Sequence, residues 1–132
     1  MTLQEAIDAA GEESRTIKLL QDTEESVLVE DVQNITLDLN GKTITGAKTG
    51  TKAYAIKNYG TLEVTDTTEE KSGKIQESAT GSVGYGIHNR DGSLTIKSGM
   101  IVTDTDIESG STYAIYNQSE APLIIEGGTI TA

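Results

Sequence analysis

The chain has no cysteine, tryptophan or phenylalanine, and Pro122 is the only proline among its 132 residues. The lack of cysteine excludes a disulfide framework and a thiolate metal site, although a secreted protein does not need disulfides. No apolar run approaches the roughly 20 residues of a membrane span, and no basic region followed by an apolar one opens the chain. We therefore expect no membrane insertion, and we expect the targeting signals of an exported protein to lie outside this sequence.

Basic charge is scarce as well. Ten Lys and Arg residues stand against 21 Asp and Glu residues, which gives a formal net charge of -11. Such a chain repels polyanions, so a nucleic-acid partner is not expected. Glycine is plentiful, with 14 residues. Together with many aliphatic residues, this composition is typical of a β-rich repeat protein with tight turns.

A pattern of Tyr, a small residue, Ile, any residue and Asn occurs three times, beginning at Tyr54, Tyr85 and Tyr113. Two further apolar alternations follow each copy, the first beginning at Leu62, Leu94 or Leu123 and the second at Gly73, Gly99 or Gly128. Each repeat thus predicts three short strands. Because a strand with period-2 alternation buries one face only, such a repeat must stack on a copy of itself. The sequence predicts a β-solenoid.

The N-terminal residues predict a helix that caps this solenoid. Leu3, Ala6, Ile7 and Ala10 share one helical face, and Thr2 has capping-box spacing to Glu5. We interpret residues 1–14 as the cap, which protects the open end of the first coil. The coils are predicted at about 16–46, 53–82, 83–111 and, as a partial coil, 112–132, with the first one atypical.

Stacking predicts columns of equivalent residues. One column would contain the tyrosines that open the repeats, and another the asparagines Asn58, Asn89 and Asn117, whose amides can bond to each other at a turn. The interior would be aliphatic, without room for a ligand. Its predicted members are Ile56, Ile87, Ile115, Leu62, Leu94, Leu123, Ile75, Ile101 and Ile130.

The phrase from Ile35 to Thr45, the repeats of the form Ala-Ile-x-Asn-x-Gly-x-Leu-x-Ile and the Gly-Gly-Thr-Ile-Thr sequence at 127–131 together resemble a known family. It is the right-handed parallel β-helix, or pectate-lyase-like, region of large surface proteins of Gram-positive bacteria. The resemblance implies a fragment of a secreted or wall-attached adhesin-type protein, with adhesion or glycan contact as its role. It does not imply catalysis, so we expect no enzyme activity and no catalytic residues.

The same fold also hosts polysaccharide lyases and glycosidases, which need paired acids or a Ca²⁺ site beside a base. Asp38 and Glu63, predicted on adjacent coils, are the best acidic pair available. Two like charges in such a place more often form a solvated face. Function has to be argued from the site.

A second acidic group, Asp104, Asp106 and Glu108, has the i, i+2, i+4 spacing that loops use for Ca²⁺. It lacks the glycine and the bidentate glutamate of an EF-hand, and an acidic solvated turn would look the same. Apart from this possible Ca²⁺, no cofactor is expected.

The most ligand-like surface is the column formed by Lys57, His88 and Tyr116, with Tyr59 nearby. These residues occupy the variable position of the repeat, so we expect them to point outward. His88 by itself would then be an ordinary surface residue, and a lone imidazole supports no nucleophilic mechanism. Sugar sites stack rings on exposed aromatic side chains, so a glycan is the ligand that this column suggests.

Two functions remain open at this point. The first is a stiff spacer or adhesive scaffold that presents the insertions 66–72 and 104–111 to a host or cell-wall partner. The second is a carbohydrate-binding or carbohydrate-active β-helix whose site lies in missing coils. The uncapped last coil also predicts end-to-end self-association, because its strands would expose unpaired backbone groups.

Overall fold

A computed structural model describes residues 2–47, 54–77, 83–103 and 111–131. Within these residues, one helix, α1 (Leu3–Ala10), precedes fourteen strands that form three sheets. Sheet A contains β1 (Ser14–Lys18), β4 (Asn34–Asp38), β7 (Thr61–Thr65), β10 (Ser93–Ile96) and β13 (Leu123–Ile125). Sheet B contains β2 (Thr23–Glu24), β5 (Thr43–Thr45), β8 (Lys74–Gln76), β11 (Met100–Val102) and β14 (Thr129–Thr131). Sheet C contains β3 (Val27–Val29), β6 (Tyr54–Asn58), β9 (Val83–Asn89) and β12 (Ser111–Asn117).

The chain visits the three sheets in the constant order A, B, C, and every pair of neighbouring strands is parallel. It completes about three turns between β3 and β12, its first and last passes through sheet C, with further strands of sheets A and B at both ends. This arrangement confirms the predicted all-β parallel solenoid with three short strands in each turn.

The repeats lie directly over each other. Ile56 is aligned with Ile87 in sheet C, Leu62 with Leu94 in sheet A, and Ile75 with Ile101 in sheet B. Neighbouring parallel strands are about 4.8 Å apart, so these equivalent side chains are in contact inside the solenoid. All six are at most 1% exposed.

The predicted aliphatic interior is confirmed in the middle of the stack and is less complete in the last described turn. Ile115 and Leu123 are partly buried, and Ile130 is 37% exposed. The reason is that β12, β13 and β14 are the last strands of their sheets, so nothing in the described chain covers their outer side.

The helix forms as predicted, but it is shorter than the predicted cap. Thr2 and Glu5 make the reciprocal capping box, and the helix ends at Ala10 because Gly11 follows with a φ of 57°. Leu3 and Ile7 belong to the core. No described helix has the length and apolarity needed to cross a membrane.

Gln4 links the helix to the first strand of sheet C. Its side-chain amide donates to the carbonyl of Leu28 at 3.1 Å, and its Oε1 accepts from the Leu28 N–H at 2.7 Å. These two bonds replace those that another strand would make. The helix therefore satisfies part of the edge of β3, as a cap should.

Residues 16–46 do not form a single coil. Ile17 in β1 lies beside Leu37 in β4, so the predicted first coil contains strands from two successive levels. The first turn is short, since β2 has two residues and β3 has three. It also lacks the tyrosine segment on which the repeat assignment was based.

The insertion at 66–72 is organised around a buried carboxylate. Asp66 is 1% exposed and accepts hydrogen bonds from the backbone N–H groups of Gly41 (3.2 Å), Thr68 (2.9 Å) and Gly73 (2.7 Å). Burial would raise the pKa of this carboxyl, but the hydrogen bonds from Thr68, Gly73 and Gly41 outweigh it and lower the pKa. The ionised carboxylate thus ties the insertion to the preceding turn.

Candidate ligand-binding face of sheet C

Every aromatic ring of the chain lies on sheet C or directly beside it. The sequence has five tyrosines and one histidine, and no other residue with an aromatic ring. These residues are Tyr54, Tyr59, Tyr85, His88, Tyr113 and Tyr116. Five of the six belong to β6, β9 and β12, and Tyr59 follows β6 by one residue. The rings of the molecule are therefore concentrated on one of its three sheets.

The repeat pattern explains this concentration. In β6, Ala55 and Ile56 are both buried, whereas Tyr54 and Lys57 on either side of them are partly exposed. Two consecutive residues thus face the interior, and the residues three positions apart face outward. The register then stacks these outward positions: Tyr54, Tyr85 and Tyr113 form one row, and Lys57, His88 and Tyr116 form the other. Both rows agree with the predicted columns.

The rings contact each other across and along the strands. Tyr85 is stacked on Tyr113 with 5.6 Å between ring centroids and 20° between planes. Tyr116 packs edge-on against Tyr113 at 5.0 Å and lies 5.0 Å from Tyr85. Such offset and edge-to-face geometries are favourable for aromatic pairs. We call this surface, made of the six ring residues and Lys57, the aromatic panel.

His88 lies deeper in the panel than the sequence suggested. Its side chain is 8% exposed, because the rings of Tyr85 (4.6 Å between centroids) and Tyr116 (5.5 Å) cover it. Its Nε2 is 2.6 Å from Oε1 of Gln118. The expectation of an ordinary surface histidine is therefore wrong, since the neighbouring tyrosines remove it from solvent.

Burial lowers the pKa of His88, and the positive charges of Lys57 and Arg90 lower it further, although the hydrogen bond with Gln118 acts in the opposite direction. The imidazole is consequently neutral at pH 7. A neutral ring can pack against tyrosine without the cost of desolvating a charge.

Lys57 stands at one side of the panel between two tyrosine rings. Its Nζ is 5.7 Å from the ring centroid of Tyr54 and 5.6 Å from that of Tyr59, both within the range of a cation–π contact. Among the described residues the ion pairs are Arg15–Glu13 and Lys97–Glu63, so Lys57 forms no ion pair with a described carboxylate.

The predicted asparagine column supports the panel from the last residue of each strand. Nδ2 of Asn58 donates to Oδ1 of Asn89 at 2.9 Å, and Nδ2 of Asn89 donates to Oδ1 of Asn117 at 2.8 Å. The amides also bond to backbone, as in the bond from Asn89 Nδ2 to the carbonyl of Gly92 at 3.0 Å. A Cβ on Gly92 would be 2.3 Å from the carbonyl oxygen of Gly60, so the turn needs glycine there.

Asp38 and Glu63 are not aligned with each other. Asp38 lies beside Thr65, and Glu63 lies beside Thr36. Asp38 accepts hydrogen bonds from the N–H of Thr67 (3.1 Å) and its hydroxyl (2.6 Å), and Glu63 pairs with Lys97 at 3.4 Å. Burial would raise the pKa of Asp38, but its hydrogen bonds from Thr67 and Asn40 outweigh burial and lower it. The two acids thus have separate structural partners.

The predicted Ca²⁺ ligands Asp104, Asp106 and Glu108 lie outside the described residues. Within the described part of the chain, no three His, Cys, Asp or Glu side chains come together as a metal ion would require.

Of the predicted ligand-binding residues, Lys57, His88 and Tyr116 lie side by side on neighbouring strands of sheet C. Tyr59 is close to them because its ring contacts the Lys57 ammonium. Sequence reasoning placed Tyr54, Tyr85 and Tyr113 in a neighbouring column but did not include them in the site. The signal was present, because the two rows are three residues apart in each copy of the repeat. The two rows lie on the same face of the sheet because two consecutive residues between them, such as Ala55 and Ile56, both face the interior.

No family model matches this chain, and searches of curated proteins and of solved structures also return no match. The assignment as a parallel β-solenoid therefore comes from the strand order and register described above. It identifies the architecture of the chain, while no family or homologue identifies its source protein.

Proposed function

We propose that this chain is a non-catalytic adhesive module that binds a glycan through the aromatic panel, with the solenoid as its stiff scaffold. The observation that carries the proposal is that all five tyrosines and the only histidine of the chain lie on one sheet or directly after one of its strands. A chain that needed aromatic residues only for its core would place them inside. Here the described interior is aliphatic.

The chemistry of the panel suits a sugar. Tyrosine offers a flat apolar ring for the C–H face of a pyranose and a hydroxyl for its polar edge. Tyr113 is the most accessible ring for such stacking, at 36% exposure, and Tyr116 beside it is partly exposed. Ring contacts and in-register strands hold these side chains before any ligand arrives, so binding would require little ordering of the protein.

The role as a scaffold follows from the backbone. In the part of the chain that the structure describes, sheets A and B have five strands each and sheet C has four, and they share one continuous core. A stack of this kind resists bending between its turns, because each turn contacts the next through all three sheets. It would hold a binding face at a fixed distance from an attachment point.

The proposal includes the location that the resemblance at residues 35–45 implies, a secreted or cell-wall-attached protein of a Gram-positive bacterium. Its support is that resemblance, together with the parallel solenoid. A host or bacterial cell-wall glycan would be the corresponding partner. The alternative function, a carbohydrate-active β-helix, would require a site elsewhere, since Asp38 and Glu63 are engaged with other residues.

A glycan array tests the proposal directly. The purified chain is expected to bind a limited group of glycans, and Tyr113→Ala and Tyr116→Ala should each weaken that binding by about tenfold, as expected for loss of a stacking contact. Tyr113→Phe retains the ring and should bind within about threefold of the parent, because it removes only one neutral hydrogen bond.

Circular dichroism and urea unfolding should show that both alanine variants are folded. Unchanged affinity in both of them would contradict the proposed site, and an array without any binding would contradict the proposed function. Reducing-sugar release or the formation of unsaturated products from plant and bacterial polysaccharides would favour the carbohydrate-active alternative.

A further inference from the structure

The strands of sheet C carry no carboxylate, although the chain as a whole is acidic. The sequence has 21 carboxylate residues and a net charge of -11, yet β3, β6, β9 and β12 contain no Asp or Glu. Lys57 is the charged residue on these strands, because His88 is neutral at pH 7. Directly after the strands, Glu30 follows β3 and Arg90 follows β9. The aromatic panel itself therefore carries one positive charge, that of Lys57, and no carboxylate.

The cations of this area are available for a ligand. Lys57 Nζ lies between the rings of Tyr54 and Tyr59, and Arg90 Nη1 donates to Gln118 Oε1 at 3.0 Å, a neutral acceptor. Neither cation forms an ion pair with a described carboxylate, since the described ion pairs involve Arg15 and Lys97. Lys57 and Arg90 both act on His88. They thus add to one local field.

We propose that the aromatic panel selects glycans that carry carboxylate groups, and that Lys57 is the residue that recognises the carboxylate. This inference rests on the proposed glycan-binding function and specifies its ligand class. The tyrosine rings accept the face of a sugar, and the Lys57 ammonium, held beside them, pairs with an acidic substituent of that sugar or of the next one. A charged partner in an otherwise repulsive environment gives specificity as well as affinity.

The overall charge limits the density of negative charge that the ligand can carry. A polyphosphate or an anionic vesicle would bring many charges close to this acidic chain, whose net charge is -11, and would be repelled. A glycan with widely spaced carboxylates, such as hyaluronan with one on every second sugar or a sialylated oligosaccharide with one at its end, avoids this repulsion. Such glycans fit both the rings and the small positive area.

The test compares each acidic glycan with its neutral counterpart by isothermal titration calorimetry on the full chain. The probes are a hyaluronan octasaccharide against its carboxyl-reduced form, and sialyllactose against lactose. We expect at least one acidic form to bind about tenfold tighter than its neutral counterpart at low salt, with the preference falling at high salt. Lys57→Gln should abolish the preference, and Lys57→Arg should retain most of it.

Lys74→Gln is the matched control, because Lys74 lies on β8 in sheet B and its loss changes the net charge by the same amount. It should leave the preference unchanged. If Lys74→Gln weakens acidic glycans as much as Lys57→Gln does, the effect comes from net charge and the proposal is wrong.

Two outcomes separate this inference from the proposed function. Equal binding of acidic and neutral forms, with both lost in Tyr113→Ala, would overturn the role of Lys57 and leave glycan binding intact. Binding of neither form of either probe, while other glycans on the array are bound through Tyr113, would likewise overturn the selectivity. Tighter binding of single-stranded DNA or of phosphatidylserine vesicles than of the acidic glycans would also contradict the proposal.

Discussion

Asn58 donates from its side-chain amide to Oδ1 of Asn89 on the next turn, at 2.9 Å, and both side chains are fully buried. Asn89 continues the ladder to Asn117 and also donates to the carbonyl of Gly92. The side-chain amide of Asn89 thus connects three successive coils of the solenoid, and it also bonds to the backbone bend at Gly92.

Asn89→Ala should therefore be strongly destabilising. It leaves Asn58 Nδ2 and the Gly92 carbonyl without this partner in a buried place, and each such group costs about 1–3 kcal/mol. We expect the free energy of unfolding to fall by roughly 2–4 kcal/mol in urea titrations. Asn117→Ala, at an exposed position, should cost less than half as much. Equal losses of stability in the two variants would contradict the larger contribution that we expect from the buried Asn89.

The helix cap should make a measurable contribution through Gln4. In Gln4→Ala, the N–H and C=O of Leu28 lose the side-chain amide that bonds to both of them. Because this strand edge is only partly buried and water can replace the amide in part, we expect a loss of about 1–2 kcal/mol in the free energy of unfolding. Gln21→Ala, at an exposed position in the first turn, is the control and should change stability by less than about 0.5 kcal/mol.

Stability should fall between pH 7 and pH 5 because of His88. Its pKa is lowered in the folded protein, so the unfolded chain binds the proton more readily and protonation favours unfolding. The loss begins near the unfolded value of about 6.5 and ends once the pH is below the folded pKa. The groups that face the imidazole are Tyr85, Tyr116 and Gln118, with Lys57 and Arg90 as the nearby charges.

Urea titrations at several pH values test this expectation. His88→Gln should flatten the dependence between pH 7 and pH 5, leaving the decline that Asp38 and Asp66 cause at more acid pH. Those two carboxyls have lowered pKa values when folded, so their stabilisation is present above the ordinary aspartate pKa of 3.8 and is lost as the pH falls through their folded pKa values. A His88→Gln profile parallel to that of the parent would show that His88 is not responsible.

The last described turn should promote association between copies of the chain. The outer edges of β12, β13 and β14 have no neighbouring strand among the described residues, and Ile125 (53%) and Ile130 (37%) are exposed there. Sedimentation velocity is expected to show a mean mass that rises with concentration in the micromolar range. Ile125→Lys should suppress this rise.

Val32→Lys, at a 57% exposed position after β3, is the matched control for this charge and should not change association. A chain that remains monomeric at every concentration would contradict the prediction. So would a variant at Ile125 that associates as strongly as the parent.

The sequence predicted the fold well because the repeat carries its own register. Once Tyr85 and Tyr113 are recognised as equivalent, parallel stacking places the rest of β9 beside β12, including Asn89 beside Asn117. The capping box at Thr2 could also be predicted, because its partner Glu5 is only three residues away in the sequence. Patterns of this kind depend on neighbours in sequence or on exact repetition, and both are visible in one chain.

Features without repetition were less predictable. The first coil has no tyrosine segment. For this reason the sequence did not show that β2 and β3 belong to an earlier coil than β4 and β5. The burial of His88 depends on the rings of Tyr85 and Tyr116, and alternation gives only the side of the strand and not the depth. Asp38 and Glu63 seemed to be neighbours because their coils are adjacent, but the register offsets them along the strands by two residues.

The placement of all five tyrosines at the panel also determines how the protein can be observed. Without tryptophan, the intrinsic ultraviolet emission of the chain comes from tyrosine alone, and every emitting ring lies on or beside sheet C. An unlabelled titration would therefore report on this single face, with no background from rings elsewhere in the molecule. Quenching by a solute too large to enter the panel should separate the outermost ring, Tyr113, from the covered ones, and a bound ligand should shield it.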